Sequence, residues 1–319
     1  MTRLRALAPG KTNLGLFLGP TRPDGYHELV SLFEPLSLAD ELTLEPRPGA
    51  EALAAPEPGL AGEACALAAD EVVCAGVTGP NLAARALADW RAASGWDGPP
   101  QRLTIVKRVP VAAGMGGGSG DAAAALRLVA HAAGRPGDPL IARLAPALGA
   151  DVPSQVEPAP VLVHGVGEHV ERVAAPPAHA LVIVPAGLPL STPDVFREAD
   201  RLGLGRSAEE LLELRERLRE GLLPELLVND LEAPARSLCP AIGPALDALR
   251  AAGADHAFVS GSGPTTIGLW WGGEEARTAA LVAAEALRGR FPEPVAAAPV
   301  GPEFAAVGAV RENEAPHEQ

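Results

Sequence analysis

Apolar positions begin as short, close-set stretches. Residues 3–8 and 13–19 read as apolar segments on either side of the turn Ala8-Pro9-Gly10-Lys11. Pro23-Asp24-Gly25 carries turn chemistry: proline presets φ and glycine accepts the left-handed region. After it, residues 29–38 read as a strand, and 41–46 alternate with period two, as a half-buried strand does. Four strands in succession predict an antiparallel start rather than a doubly wound sheet. Residues 48–78, rich in Ala, Gly, Pro and Glu, give no assignable pattern.

Helical spacing appears next, over residues 81–95, with Asn81 at the N-cap and Gly95 as the stop. Residues 102–111 are rich in β-branched side chains and read as a strand. An alanine-rich helix over 119–133 and a second over 138–148 follow. Past residue 158 the texture changes. Two apolar runs (159–165 and 179–187) read as strands, 207–221 and 239–253 as helices, and 256–271 as strand, glycine turn, strand. A helix and a last strand over residues 294–300 close the chain. The order fits an α+β protein with helices layered on sheets.

Composition narrows the function classes. The chain has 319 residues, 47% hydrophobic but only 3% aromatic, so its core is built of Ala, Leu and Val. A net charge of −14 argues against nucleic-acid and anionic-membrane partners, which require basic surface. Cys65, Cys74 and Cys239 are scattered, without a C-x-x-C pair, which disfavours a disulfide framework or zinc site. The N-terminus lacks a long apolar segment and no stretch is long enough to cross a bilayer, so a cytoplasmic protein is expected. Of 26 basic residues only Lys11 and Lys107 are lysine. A compact ammonium differs from a planar guanidinium, and both lysines stand beside glycine- or proline-marked turns.

The most informative stretch is residues 110–126, Pro110-Val111-Ala112-Ala113-Gly114-Met115-Gly116-Gly117-Gly118-Ser119-Gly120 followed by Asp121 and four alanines. Five glycines in seven positions lie between a strand and a helix. Bare backbone there lets a ligand rest on main-chain N–H groups, and the helix N-terminus adds partial positive charge. This points to phosphate; a tight helix–sheet turn is the plainer alternative. Ser119 is expected at the N-cap, and Ser119 or Asp121 could help hold magnesium. The pattern is neither a P-loop nor a dinucleotide fingerprint.

These residues resemble the GHMP kinase superfamily. Residues 110–126 look like its phosphate-binding motif, 8–18 its first motif and 258–269 its third. Residues 22–42 resemble the 4-diphosphocytidyl-2-C-methyl-D-erythritol kinase family of the non-mevalonate isoprenoid route, and the resemblance spans nearly the whole chain outside 48–78 and the tail. It implies two domains, 1–158 (ATP-binding) and 159–308, with the site in the cleft between them and 309–319 a frayed tail. It implies ATP and magnesium as cofactors, a small CDP-linked alcohol as acceptor, and a monomer or weak homodimer.

By the same resemblance Asp151 is the catalytic base and Lys11 stabilises charge beside it, while Asn13 contacts substrate. Lys107 and Asn81 line the nucleotide site. Strand-edge solubility for Lys107 and plain N-capping for Asn81 are the competing readings. Tyr26 and Phe196 sandwich the cytosine, the segment around His27 reads the base edge, and Thr192 bonds the diphosphate or sugar. Gly120 departs from the family, which more often has Ser or Ala there. A kinase for homoserine or a mevalonate derivative, and a non-catalytic nucleotide-binding regulator on the same fold, are the rival readings.

Overall fold

The computed structural model describes residues 3–47, 70–77 and 79–310. Residues 48–69 and 78, most of the stretch without a pattern, and 311–319 of the tail lie outside the described residues. The chain opens as a long antiparallel hairpin, β1 (Leu4–Thr21) and β2 (His27–Pro46), turning at Pro23-Asp24-Gly25. The expected turn at residues 8–11 is not a turn. The strand runs on with register breaks between Pro9 and Lys11 and between Asn13 and Gly15. A bulge absorbs the proline and the glycine without leaving the sheet. The two later strands likewise merge into β2.

Next come β3 (Glu71–Cys74), α1 (Leu82–Ser94), β4 (Gln101–Val106), α2 (Gly117–Ala132), α3 (Leu140–Leu148) and α4 (Val152–Val156). Asn81 caps α1 by accepting from Ala83 N–H at 2.8 Å, and Gly95 ends it in the left-handed region. β4 stops at Val106, five residues before the expected end, which frees 107–116 as a loop. β5 (Val161–Gly165) and β6 (His169–Arg172) then join the first sheet through β2. By sheet membership this unit extends to Arg172, past the boundary expected at 158. It also recovers a final strand, since β11 (Gly308–Ala309) pairs with β1 and Val310 N–H donates to Arg3 O. The start of the expected tail is therefore strand.

The second sheet is antiparallel, in the order β10 (Val295–Ala297), β7 (His179–Val184), β9 (Thr266–Trp271), β8 (His256–Val259). Helices α5 (Thr192–Arg201), α6 (Ala208–Glu220), α7 (Glu232–Leu238), α8 (Ile242–Ala251) and α9 (Glu274–Leu287) complete the chain.

Two cores place the site. Leu42, Leu44, Leu103 and Ile105 pack under α1–α4 with Trp90 and Ala122–Ala125, all buried. The alanines let α2 lie close against β1 with little side-chain entropy to lose. Between the sheets, Leu14, Phe17, Val30 and Leu32 meet Leu181, Ile183, Ile267 and Leu269 in one cluster. A buried pair also spans this layer: His179 Nε2 lies 2.7 Å from Glu34 Oε2, with both side chains 1% exposed. His179 Nδ1 donates to Pro177 O at 2.8 Å, so the ring must carry both protons to bond each partner well. Burial pulls the imidazole down, but the bond and charge of Glu34 outweigh it and raise its pKa.

Candidate active site

One cavity of about 1000 Å³ brings together all but one of the sequence-predicted site residues. Its first wall is the loop 110–116 running into α2. Ala112 and Gly114 both sit at positive φ, and α2 starts at Gly117 after a left-handed Gly116. Ser119 is thus the third residue of the helix and not its N-cap, and no side chain caps the helix. The first turn carries no acidic residue, so its orphan N–H groups and dipole face the cavity unquenched.

Bare backbone is enforced from behind. A Cβ at Gly114 would stand 2.2 Å from Ser260 O, in the turn between β8 and β9. The glycine loop and the third motif, residues 258–269, are therefore in direct contact. A Cβ at Gly116 would press on the Lys11 stem at 3.0 Å. Gly120 alone among the expected loop residues does not line the cavity. It packs against β1, where a Cβ would meet Pro9 O at 3.1 Å. The departure from Ser or Ala fits a helix seated tightly on the strand.

Below the loop, Lys107 Nζ donates to Asp40, and to Asp121 Oδ2 at 2.8 Å. Asp40 Oδ1 also accepts the N–H groups of Arg108 and Val109 at 2.6 and 2.8 Å, tying β2 to the loop. Lys107, its side chain 14% exposed, is a pairing group in the cavity wall, and it lies past the end of β4 rather than on a strand edge. Burial works against its charge, yet the two carboxylates raise its pKa. Asp121 is pushed up to about 7 by burial, against the pull of Lys107 and with the repulsion of Asp40. One ammonium faces two carboxylates, and Asp121 Oδ1 has no partner.

Across the cavity floor, Lys11 Nζ is 3.4 Å from Asp151 Oδ2 and donates to Asn13 Oδ1 at 2.9 Å. Lys11 comes from the β1 bulge, where its N–H donates to Met115 O, and Asp151 stands at the head of α4. The Lys11 ammonium also lies 4.4 Å above the Phe33 ring centroid, a favourable place for a desolvated cation. Asn13 is held by Ser31 Oγ at 2.8 Å.

The opposite end is apolar and aromatic. Tyr26 is 66% exposed on the β1–β2 turn, and Phe196 comes from the first turns of α5. Both line the cavity with Leu16, Leu29, Val166 and Pro193. His27 packs against Phe196 at 5.6 Å, and both ring nitrogens are engaged, Nδ1 by Gly19 O and Nε2 by Asp200 Oδ1. Its ring is a support rather than a free donor. Thr192 Oγ1 bonds Ser262 Oγ at 2.8 Å, linking α5 to the third glycine turn.

Known proteins match this arrangement. The GHMP kinases N terminal domain family matches residues 81–158, and the GHMP kinases C terminal family matches 204–289. A 4-diphosphocytidyl-2-C-methyl-D-erythritol kinase from Anaeromyxobacter sp. (strain K) is 39% identical over 90% of this chain and 86% of its own. One from Paracoccus denitrificans is 40% identical over 86% and 90%. The chain belongs to the 4-diphosphocytidyl-2-C-methyl-D-erythritol kinase family of GHMP kinases. A crystal structure of a 4-(cytidine 5'-diphospho)-2C-methyl-D-erythritol kinase superposes with TM-score 0.71, at 34% identity over 93% of this chain and 99% of that one. A homoserine kinase from Cytophaga hutchinsonii, 15% identical over 97% and 98%, shares the fold at TM-score 0.63.

Within this kinase, sequence reasoning missed Asp40, Phe33 and Asp200. Asp40 had a signal: an acidic residue between apolar strand positions in Leu38-Ala39-Asp40-Glu41-Leu42. The other two are placed by long-range packing alone. Among the described residues no helix is long and apolar enough to cross a membrane, and no group of three or more His, Cys, Asp or Glu could hold a metal ion.

Proposed function

We propose that this kinase transfers the γ-phosphoryl group of ATP to the 2-hydroxyl of 4-diphosphocytidyl-2-C-methyl-D-erythritol, in the cytoplasm. The observation that carries this reading is the Lys11–Asp151 pair, 3.4 Å apart, between a glycine-loop wall and an aromatic wall. The triphosphate lies on the N–H groups of residues 114–119. Tyr26 and Phe196 take the cytosine ring between them; such stacking contributes about 1–3 kcal/mol per base. The base edge is read by the main chain near His27, since the ring is occupied. Asn13 and Thr192 orient the acceptor.

In the transfer step Asp151 accepts the proton of the acceptor hydroxyl as its oxygen bonds to the γ-phosphorus. The bond from that phosphorus to the β-γ bridging oxygen breaks, and ADP leaves. Lys11 offsets the charge that develops on the attacking oxygen. Positioning and charge compensation supply most of the acceleration in such reactions.

Magnesium would neutralise phosphate charge when bound. Ser119 and Asp121 are two residues apart on α2 and so face different directions. Asp121 already pairs with Lys107, whereas Ser119 is half-buried and lines the cavity. Ser119 is the better oxygen donor, and the phosphates themselves would supply most of the ligands.

The test is ADP release with magnesium-ATP and separate acceptors: the cytidine-linked methylerythritol, homoserine and mevalonate. Turnover is expected with the first, and Tyr26→Ala should raise its KM about 10-fold or more without affecting KM for ATP. Turnover with homoserine or mevalonate alone, or an indifferent Tyr26→Ala, contradicts the reading.

A further inference from the structure

Arg127 lies on α2, facing away from the cavity. Nη1 donates to Gln155 O and Val156 O at 2.7 and 3.1 Å, and Nη2 donates to Leu7 O at 3.1 Å. Among the described residues no carboxylate acts on it, and its Nε is sealed from solvent without a partner. Burial draws its guanidinium down to about 10. A desolvated cation of this kind is costly, and packing alone would be served better by an apolar side chain.

What the guanidinium grips explains its presence. Gln155 and Val156 end α4, the five-residue helix headed by Asp151. A helix this short cannot sustain itself, and its last carbonyls have no partners within it. Leu7 lies on β1, four residues before Lys11. Between them the ladder is interrupted. Pro9 and Pro35 lack N–H groups, and the register breaks between Pro9 and Lys11. Gly120, two helical turns before Arg127 on the same face of α2, abuts Pro9 O. The helix thus holds β1 at two points and α4 at one.

We propose that Arg127 is a positioning residue for phosphoryl transfer: one planar fork, joined to the helix that follows the glycine loop, fixes the Asp151 helix against the Lys11 strand. It touches neither substrate, and it acts through the separation of the carboxylate and the ammonium. Lysine carries the charge but not the fork, so Arg127→Lys releases at least one carbonyl. A misplacement of about 1 Å in a reacting group can cost on the order of 100-fold in rate.

This inference rests on Asp151 being the base, so the experiment runs Arg127→Lys, Asp151→Asn and the double variant side by side. Arg127→Lys is expected to lower kcat about 10- to 100-fold with both KM values within about 2-fold. The double variant should lose clearly less than the product of the single losses, because both act on one step. A folded Arg127→Lys with wild-type kcat, or fully multiplicative losses, overturns the positioning role while leaving Asp151 as base. Wild-type turnover in Asp151→Asn overturns the base assignment itself and the inference with it. Should Arg127→Lys not fold, Arg127→Gln, which keeps two N–H donors without the charge, takes its place under the same criteria.

Discussion

A methyl group at position 114 would enter the third glycine turn, and one at 116 would press on the stem of Lys11. These two glycines do different things: the first keeps two loops in contact, the second leaves room for the Lys11–Asp151 pair. Gly114→Ala combines a left-handed φ of 75° with a 2.2 Å approach to the Ser260 carbonyl. Backbone cannot swing away as a side chain can. Gly114→Ala should cost at least about 2 kcal/mol of stability and weaken ATP binding, as read by denaturant titration and calorimetry. Wild-type stability and affinity would show that the two loops are not rigidly opposed. At the same scale, Lys107 shows how burial decides a role. Burial, with the repulsion of Asp40, pushes Asp121 up to about 7 although Lys107 pulls it down.

Helices were more legible than strands. Asn81 and Gly95 are chemically suited to cap α1, and they bound it as the sequence suggests. The glycine loop announced itself because only a close approach explains so many bare positions together. The long strands were not legible. Pro9 stands in a stretch that reads as a turn, yet bulges let β1 run on through Pro9 and Pro20, and β2 through Pro35. Nor could local sequence show that β5 and β6 return to the first sheet, since that pairing is bought by contact with β2 across more than 120 residues. The site was legible wherever chemistry is compressed into a motif. It was opaque where a residue matters through a distant neighbour, as with Asp40 on Lys107 and Arg127 on α4.

The two sheets share an apolar layer, and the His179–Glu34 pair is set within it. The folded pKa of His179 is raised above its ordinary value of 6.5. Its contribution to stability is therefore full below about pH 6.5 and is lost as pH rises through the folded value. The stability difference between wild type and His179→Gln should shrink from pH 6 towards pH 9, measured as paired melting temperatures. A difference independent of pH would mean that His179 does not carry its charge in the folded protein. The cavity in this framework lies where the glycine loop, the β1 bulge and α4 converge, and the proposed chemistry there rests on Lys11 and Asp151. Turnover and ATP affinity of Asp151→Asn, measured on one preparation, test that most directly. ATP binding within about 2-fold of wild type and a loss of turnover of at least about 1000-fold are predicted; undiminished turnover would contradict the account.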